Sequence, residues 1–532
     1  MRLPKGDQAY FKNGMACFGS ERRNVFEYRE KGKSAHEKDE MGKATDLKKI
    51  EFVDETFRDA PQSVWATRMR TESMIGIAPM LDEAGFKQAC VSSAAAFETA
   101  VMYLYEDPWE RIRLLKKSMP KTPLSVLIRG RNIFGWRRFS NDVIELLLKC
   151  LFKAGIQWIM VFDGLNDLRN LEWHIRAGKK IGLKVIGEAV FTESPVHTDE
   201  YFARKAREFI KLGVESVILE DASGVLRPER TRTLVPAIRQ AVGNHELQFH
   251  SHCGTGSGPE CYLEALKQGV DTLCTASLPM AYGESLPATI DILKKAREMG
   301  FDDRMEEHQI KKIDDYCFWV AYKEQKPLGQ PIVFNQADFQ KYVSHQIPGG
   351  MMSNLVKQLS DLGLLHRLPE VLEEAGRVRQ EIGYPVMVTP FSQWVGVQAT
   401  LNIVEGKRYQ TVPQELRLYA RGLYGEPATP FDQNVLDLLM VDEKPIDPTA
   451  SFDEPFLEKY RVEYGPFLSD EDMLLTLFNA RPTMEIFYKN KKKIEIPVVK
   501  NPLVAFIKEL ASKHDIHSIQ IEKGSLRIRQ AF

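Results

Sequence analysis

From residue 49 onward the chain repeats one theme, a short β-prone run followed by a longer amphipathic stretch. The runs are K-I-E-F-V-D (49–54), F-K-Q-A-C-V (86–91), L-S-V-L-I-R (124–129) and I-Q-W-I-M-V-F (156–162), then L-K-V-I-G-E (183–188), V-E-S-V-I-L (214–219), E-L-Q-F-H-S (246–251) and D-T-L-C-T (271–275). Between them lie helical patterns such as R-K-A-R-E-F-I-K-L-G and G-P-E-C-Y-L-E-A-L-K-Q-G. Strands joined through helices pair in parallel, because the crossover carries the chain back to its starting end. Eight such units in about 250 residues predict a closed (β/α)8 barrel over residues 49–300. A doubly wound open sheet is the other α/β arrangement. The count of eight, and the missing G-x-G-x-x-G turn after the first run, weigh against it.

Outside the barrel the pattern changes. Residues 1–48 are polar and charge-rich and predict an N-terminal arm. Residues 301–440 predict a mostly helical domain, with K-Q-L-S-D-L-G-L-L-H-R-L-P-E-V-L-E-E-A as its clearest amphipathic stretch. Residues 441–532 begin with a linker-like D-E-K-P-I-D-P-T and predict a small α+β docking or capping module. Within it, M-E-I-F-Y-K-N-K-K-K-I-E-I-P-V-V (484–499) reads as a β-hairpin, followed by a helix over 503–513 and a strand over 516–529.

Composition narrows the function classes. With 72 basic and 73 acidic side chains the 532-residue chain has a formal charge of -1, which gives no general attraction to nucleic acid or an anionic membrane. No apolar run reaches the roughly 18–20 residues that span a bilayer, and the N-terminus lacks an apolar signal core. Seven dispersed cysteines without a C-x-x-C pair suit reduced thiols, so a cytoplasmic location is expected.

Active sites of this fold form at the carboxyl ends of the strands. Those positions carry Asp54, Glu55, Arg58, Asp59 and Gln62 after the first run and Arg129 after the third. Asp163 and Asn166 follow the fourth run, Glu188 the fifth, Glu220 and Asp221 the sixth, and His250 and His252 the seventh. So many ionisable groups at one barrel end are costly unless they bind something charged. In H-S-H both imidazoles face the same side of a strand, and two His with one carboxylate, here Asp59, suit a divalent metal. The bland alternative is a pair of histidines packed in the barrel mouth. Arg58 and Arg129 either hold loops by salt bridges or clamp a small carboxylate through the planar guanidinium fork. An Arg beside a metal points to a substrate with both a carboxylate and a keto oxygen, and to C–C bond chemistry through an enolate.

The segment F-V-D-E-T-F-R-D-A-P-Q-S-V-W-A-T-R-M-R-T (52–71) resembles the opening motif of one family, the carboxyltransferase domains of pyruvate carboxylase, the oxaloacetate decarboxylase α subunit and the keto-acid subunit of transcarboxylase. So do E-D-P-W-E-R (106–111), R-G-R-N-I-F-G-W (129–136), V-F-D-G-L-N-D (161–167) and S-P-V-H-T-D-E-Y (194–201). The later H-Q-I-P-G-G-M-M-S-N-L (345–355), G-Y-P-V-M-V-T-P-F-S-Q (383–393) and V-P-Q-E-L (412–416) are also similar. The resemblance implies that Asp59, His250 and His252 hold a divalent metal (zinc, manganese or cobalt). It further implies that Gln62 and Arg129 hold a 2-oxo acid with Arg58 in the same site, and that 301–440 packs over the barrel mouth. A homodimer is implied as well.

Three positions depart from the family pattern. Glu220 stands where a lysine that becomes carboxylated serves as a further metal ligand. In G-E-S-L-P (283–287) Glu284 replaces the threonine that shuttles a proton, which makes Glu284 the candidate shuttle. C-V-S-S-A-A-A-F-E (90–98) replaces a glycine-rich pocket wall. The biotin-accepting M-K-M motif does not occur, so the resemblance implies biotin supplied in trans by a separate carrier protein, with a biotin carboxylase subunit as a further partner. Two rival readings fit the same residues: a biotin-independent lyase, aldolase or Claisen-type enzyme, and a catalytically silent assembly subunit.

Overall fold

The computed structural model describes residues 48–494, apart from 136, 442, 451, 466 and 467, and the backbone of four short strands at 9–12, 15–18, 518–523 and 526–531. Eight strands form a closed parallel barrel: β1 Glu51–Asp54, β2 Gln88–Ser93, β3 Leu124–Arg129, β4 Trp158–Phe162, β5 Lys184–Val190, β6 Ser216–Asp221, β7 Glu246–Ser251 and β8 Thr272–Thr275. Each lies within two residues of the run that predicted it. Neighbours follow chain order, and β8 closes onto β1 with Thr272 opposite Glu51 and Thr275 opposite Asp54.

Local chemistry sets the helix ends. Asp107 caps Pro108–Ser118 by accepting from the N–H groups of Trp109 and Glu110. Helices Asn141–Ala154, Glu172–Ile181 and Asp199–Leu212 stop at Gly155, Gly182 and Gly213, whose positive φ a side chain would resist. Inside the barrel, Cys90, Leu127, Met160, Ile186 and Ile218 pack as an apolar layer. Because strand side chains alternate, the next inward positions toward the carboxyl end include Arg129 on β3, Glu188 on β5 and Glu220 on β6. The fold therefore stacks an ionisable layer directly upon an apolar one.

Residues 307–439 are mostly helical, as expected, and their core includes Val371, Val378, Phe391, Trp394 and Tyr419 together with Leu165 from the loop after β4. This region meets the barrel's carboxyl end through polar contacts. Gln346 accepts from Thr192 Oγ1 at 2.8 Å, Arg379 donates to the Glu193 carbonyl at 2.9 Å, and Asn170 donates to the Tyr424 carbonyl at 2.9 Å. Phe391 lies so close to Gly164 that a Cβ there would meet its ring at 2.8 Å.

Two expectations near the C-terminus need revision. Residues 481–490 form a helix, Arg481–Asn490, where the first half of a hairpin is expected. Pro482 occupies the first turn, and Met484 and Phe487, three apart, are buried on one face. Packing at helical spacing overrides the β-prone I-F-Y triplet. The rest of that hairpin and the helix over 503–513 lie outside the described residues. The strand expected over 516–529 is two antiparallel strands, Ser518–Lys523 and Leu526–Ala531.

The first of these pairs in parallel with Ala9–Lys12, which itself forms a hairpin with Met15–Phe18, so both chain ends share one four-stranded sheet. That sheet belongs to a compact unit separate from residues 49–497. No helix among the described residues is long and apolar enough to cross a membrane.

Candidate active site

The strand-end residues converge where the barrel geometry directs them. Asp59 begins the short helix Asp59–Val64 after β1, while His250 is on β7 and His252 follows it. Asp59 Oδ2 lies 2.9 Å from His252 Nε2 and 3.4 Å from His250 Nε2. The two rings lie 5.3 Å apart at 29°, and all three side chains are buried. One donor atom from each falls within 4.8 Å of the others.

Apart from their contacts with one another, Asp59 Oδ2, His252 Nε2 and both ring nitrogens of His250 are buried without a hydrogen-bond partner. Buried donors and acceptors are almost always satisfied in a folded protein, so this concentration makes the cluster a candidate ligand site. His252 Nδ1 lies 2.6 Å from the Glu284 carbonyl, which can only accept. Nδ1 therefore carries a hydrogen, which leaves Nε2 as the nitrogen that could ligate a metal. The donor set fits a divalent ion.

Arg58 is buried beside them. Its Nη1 donates to Asp59 Oδ1 at 2.9 Å, and its Nε pairs with Glu55 at 2.9 Å. Burial would raise the Asp59 carboxyl, but His252 and Arg58 outweigh it and hold the group well below the usual range. Burial would likewise push His252 down, yet Asp59 and the Glu284 carbonyl raise it to about 9. For His250 burial wins and lowers it to about 4.

Glu220 and Glu188 face the same space from neighbouring strands. Burial, then the charge of Glu188, pushes the Glu220 carboxyl well above its ordinary value. Burial raises Glu188 to about 8, against the pull of Arg58 and with repulsion from Glu55 and Asp59. Glu188 was visible at the end of the fifth run but stood outside the implied site. The signal that finds it is the two-residue step from Ile186 in the barrel interior.

The remaining candidates are anchored differently. Gln62 accepts from Ser93 Oγ at 3.1 Å, so it reaches the carboxyl end of β2. Arg129 donates to three backbone carbonyls, those of Asn132 at 2.8 Å, Gly135 at 2.7 Å and Thr389 at 3.1 Å. It ties its own loop to the helical region. Burial lowers Arg129 to about 10, partly offset by Glu98 and Asp163. Glu284 touches His252 through its backbone, while its side chain runs past Gly254 toward Gly349. A Cβ at Gly349 would stand 2.2 Å from Glu284 Cδ.

Residues 343–529 match a family model described as the conserved carboxylase domain. Over 484 residues the chain is 36% identical to a pyruvate carboxylase subunit of Methanocaldococcus jannaschii, covering 90% of this chain and 84% of that protein. The chain belongs to the carboxyltransferase family. Another member, the 2-oxoglutarate carboxylase large subunit of Hydrogenobacter thermophilus, is 33% identical over 454 residues, covering 84% of this chain and 69% of its own length. Among solved structures, the carboxyl transferase domain of Rhizobium etli pyruvate carboxylase with pyruvate and biocytin superposes with a TM-score of 0.75 at 25% identity. That match covers 84% of this chain and 78% of that one. The family carries the same barrel, which accounts for the order in which the sequence motifs recur.

Proposed function

We propose that this chain is the carboxyltransferase subunit of a biotin-dependent enzyme acting on a small 2-oxo acid of the pyruvate/oxaloacetate type. The observation that supports this most is the convergence of buried, hydrogen-bond-deficient Asp59, His250 and His252 beside Arg58 at the carboxyl end of the barrel. These three residues would hold a divalent ion (zinc, manganese or cobalt), which supplies Lewis-acid stabilisation of the charge developing on the substrate keto oxygen. Arg58 and His252 keep Asp59 ionised against its burial.

Gln62 and Arg129 orient the keto acid. Arg129 can exchange a loop carbonyl for a substrate carboxylate, which its charged fork binds more strongly. Glu284 is our candidate for moving a proton at the substrate methyl carbon, and Glu220 holds a positioning part beside Glu188. Biotin on a separate carrier, charged by a biotin carboxylase subunit, would supply or accept the carboxyl group. The helical region over the mouth excludes water from the enolate. A cytoplasmic homodimer is the location and assembly that go with this reading.

The test is oxaloacetate decarboxylation by purified protein, with and without free biotin, alongside metal analysis. We expect bound divalent metal and turnover that rises with biotin. Biotin-independent turnover of a different substrate would sink the carboxyltransferase reading in favour of a lyase, and failure to take up any divalent ion would sink both.

A further inference from the structure

His250 belongs to a second group of donors that the reading above leaves unused. Glu55, His250 and Cys274 each present one ligand atom, and these atoms lie within 4.8 Å of one another. All three side chains are shut off from solvent, with Glu55 and Cys274 at 0% exposure and His250 at 1%. The topology explains the meeting. Cys274 on β8 lies opposite Val53, two residues before Glu55, and β8 is also the neighbour of β7, which carries His250.

Both carboxylate oxygens of Glu55 and both ring nitrogens of His250 lack a properly formed hydrogen bond, although Arg58 pairs with Glu55 through its Nε at 2.9 Å. Glu55, Asp59, Glu188 and Glu220 are all buried within electrostatic reach of one another, and Arg58 is the guanidinium among them.

We propose that Glu55, His250 and Cys274 form a second, thiolate-containing position for a thiophilic divalent ion such as zinc, cobalt or cadmium. It shares His250 with the Asp59–His252 position, so one ion occupies one position or the other. A zinc-type ion takes sulfur at about 2.3 Å and nitrogen or oxygen at about 2.0–2.2 Å.

On binding, a metal–sulfur bond forms, the Cys274 S–H bond breaks and the proton passes to the buffer. The soft sulfur selects zinc, cobalt or cadmium over manganese or magnesium, which prefer an all-oxygen or oxygen-and-imidazole set. An ion seated here withdraws His250 from the outer position. The two positions therefore read out metal identity, and this inner position stands whether or not the keto-acid reading holds.

The test uses the full-length protein, stripped of metal and given one equivalent of Co2+, with the near-ultraviolet thiolate-to-cobalt charge-transfer band as readout. We expect the band in the parent protein and in His252→Ala. Its complete loss is expected in Cys274→Ser, which should still bind cobalt through Asp59, His250 and His252. A band absent from the parent, or unchanged in Cys274→Ser, would overturn the proposal. Because Cys274 is a core residue, the parent protein loaded with cadmium-113 gives a second measurement that needs no variant. A resonance in the sulfur-ligated range supports the inner position, and one in the nitrogen-and-oxygen range overturns it. Cobalt or cadmium bound without any sulfur signature overturns the inner position and leaves the outer metal reading intact, whereas no bound ion at all removes both.

Discussion

The two ends of the barrel handle charge in opposite ways. At the amino end, Lys87 bridges Glu51 at 2.6 Å and Glu246 at 2.7 Å, and Arg239 pairs with Asp271 at 2.6 Å, around an open cavity of about 510 Å3. These groups are part-exposed and every charge has a partner. At the carboxyl end, Glu55, Asp59, Glu188, His250 and His252 are buried, and each keeps at least one atom without a hydrogen bond. Paired, hydrated charge stabilises a fold at little cost, whereas buried polar atoms left short of hydrogen bonds destabilise it unless a ligand completes the set. The contrast separates scaffold from chemistry within a single sheet.

The largest effect should come from removing a metal ligand. Asp59→Asn is expected to lose bound divalent metal and on the order of 1,000-fold in turnover, several kcal/mol of transition-state stabilisation, while circular dichroism stays unchanged. Retained metal and activity would erase the distinction between the two ends.

A substitution nearby should act in the opposite sense on stability. Glu188→Gln removes a buried carboxyl that burial, before repulsion from Glu55 and Asp59, raises to about 8 and that folding must hold protonated at neutral pH. It should stabilise the metal-free protein by about 1–3 kcal/mol in urea titrations while lowering activity. A loss of stability would mean that Glu188 is already balanced, as Glu246 is at the other end.

Acid shows how much pH sensitivity lies outside both ends. His174, on the helix Glu172–Ile181, is lowered from 6.5 to about 3 by burial and then by Arg131, so the folded protein keeps it neutral while the unfolded chain protonates. His174 therefore contributes a fall in stability as pH drops below about 6.5, of about 1.4 kcal/mol per pH unit until about pH 3, beside those of His197, His250 and His345, which are lowered in the same sense. His174→Asn should reduce the pH slope of stability by that amount in denaturant melts taken from pH 7 to 4. An unchanged slope would assign the acid sensitivity elsewhere.

The smallest effect belongs to the amino end. Lys87→Ala should cost about 1 kcal/mol of stability and leave turnover within about twofold.

Much of this arrangement was legible beforehand, for physical reasons that also explain what was not. Strand and helix periodicity are local, so all eight strands were readable, and the H-S-H spacing placed His250 and His252 on one face. Glu188 was legible in position but not in part, because its role depends on which charges face it across the barrel. The three carbonyls that Arg129 holds come from backbone geometry, which side-chain chemistry does not encode. The pairing of Ala9–Lys12 with Ser518–Lys523 joins opposite chain ends and leaves no local trace. At 481–490 two signals competed, and burial of Met484 and Phe487 decided in favour of the helix.

The hydrogen bond from His252 Nδ1 to the Glu284 carbonyl has a consequence for how such a site diversifies. The acceptor is a peptide oxygen, so any residue that leaves the loop backbone in place inherits the same imidazole orientation. Position 284 is thereby free to vary its side chain, and with it the proton chemistry at the mouth, without disturbing the ring that faces Asp59. A lineage can explore new reactions with one side chain while conserving the geometry of the ring that its own backbone holds.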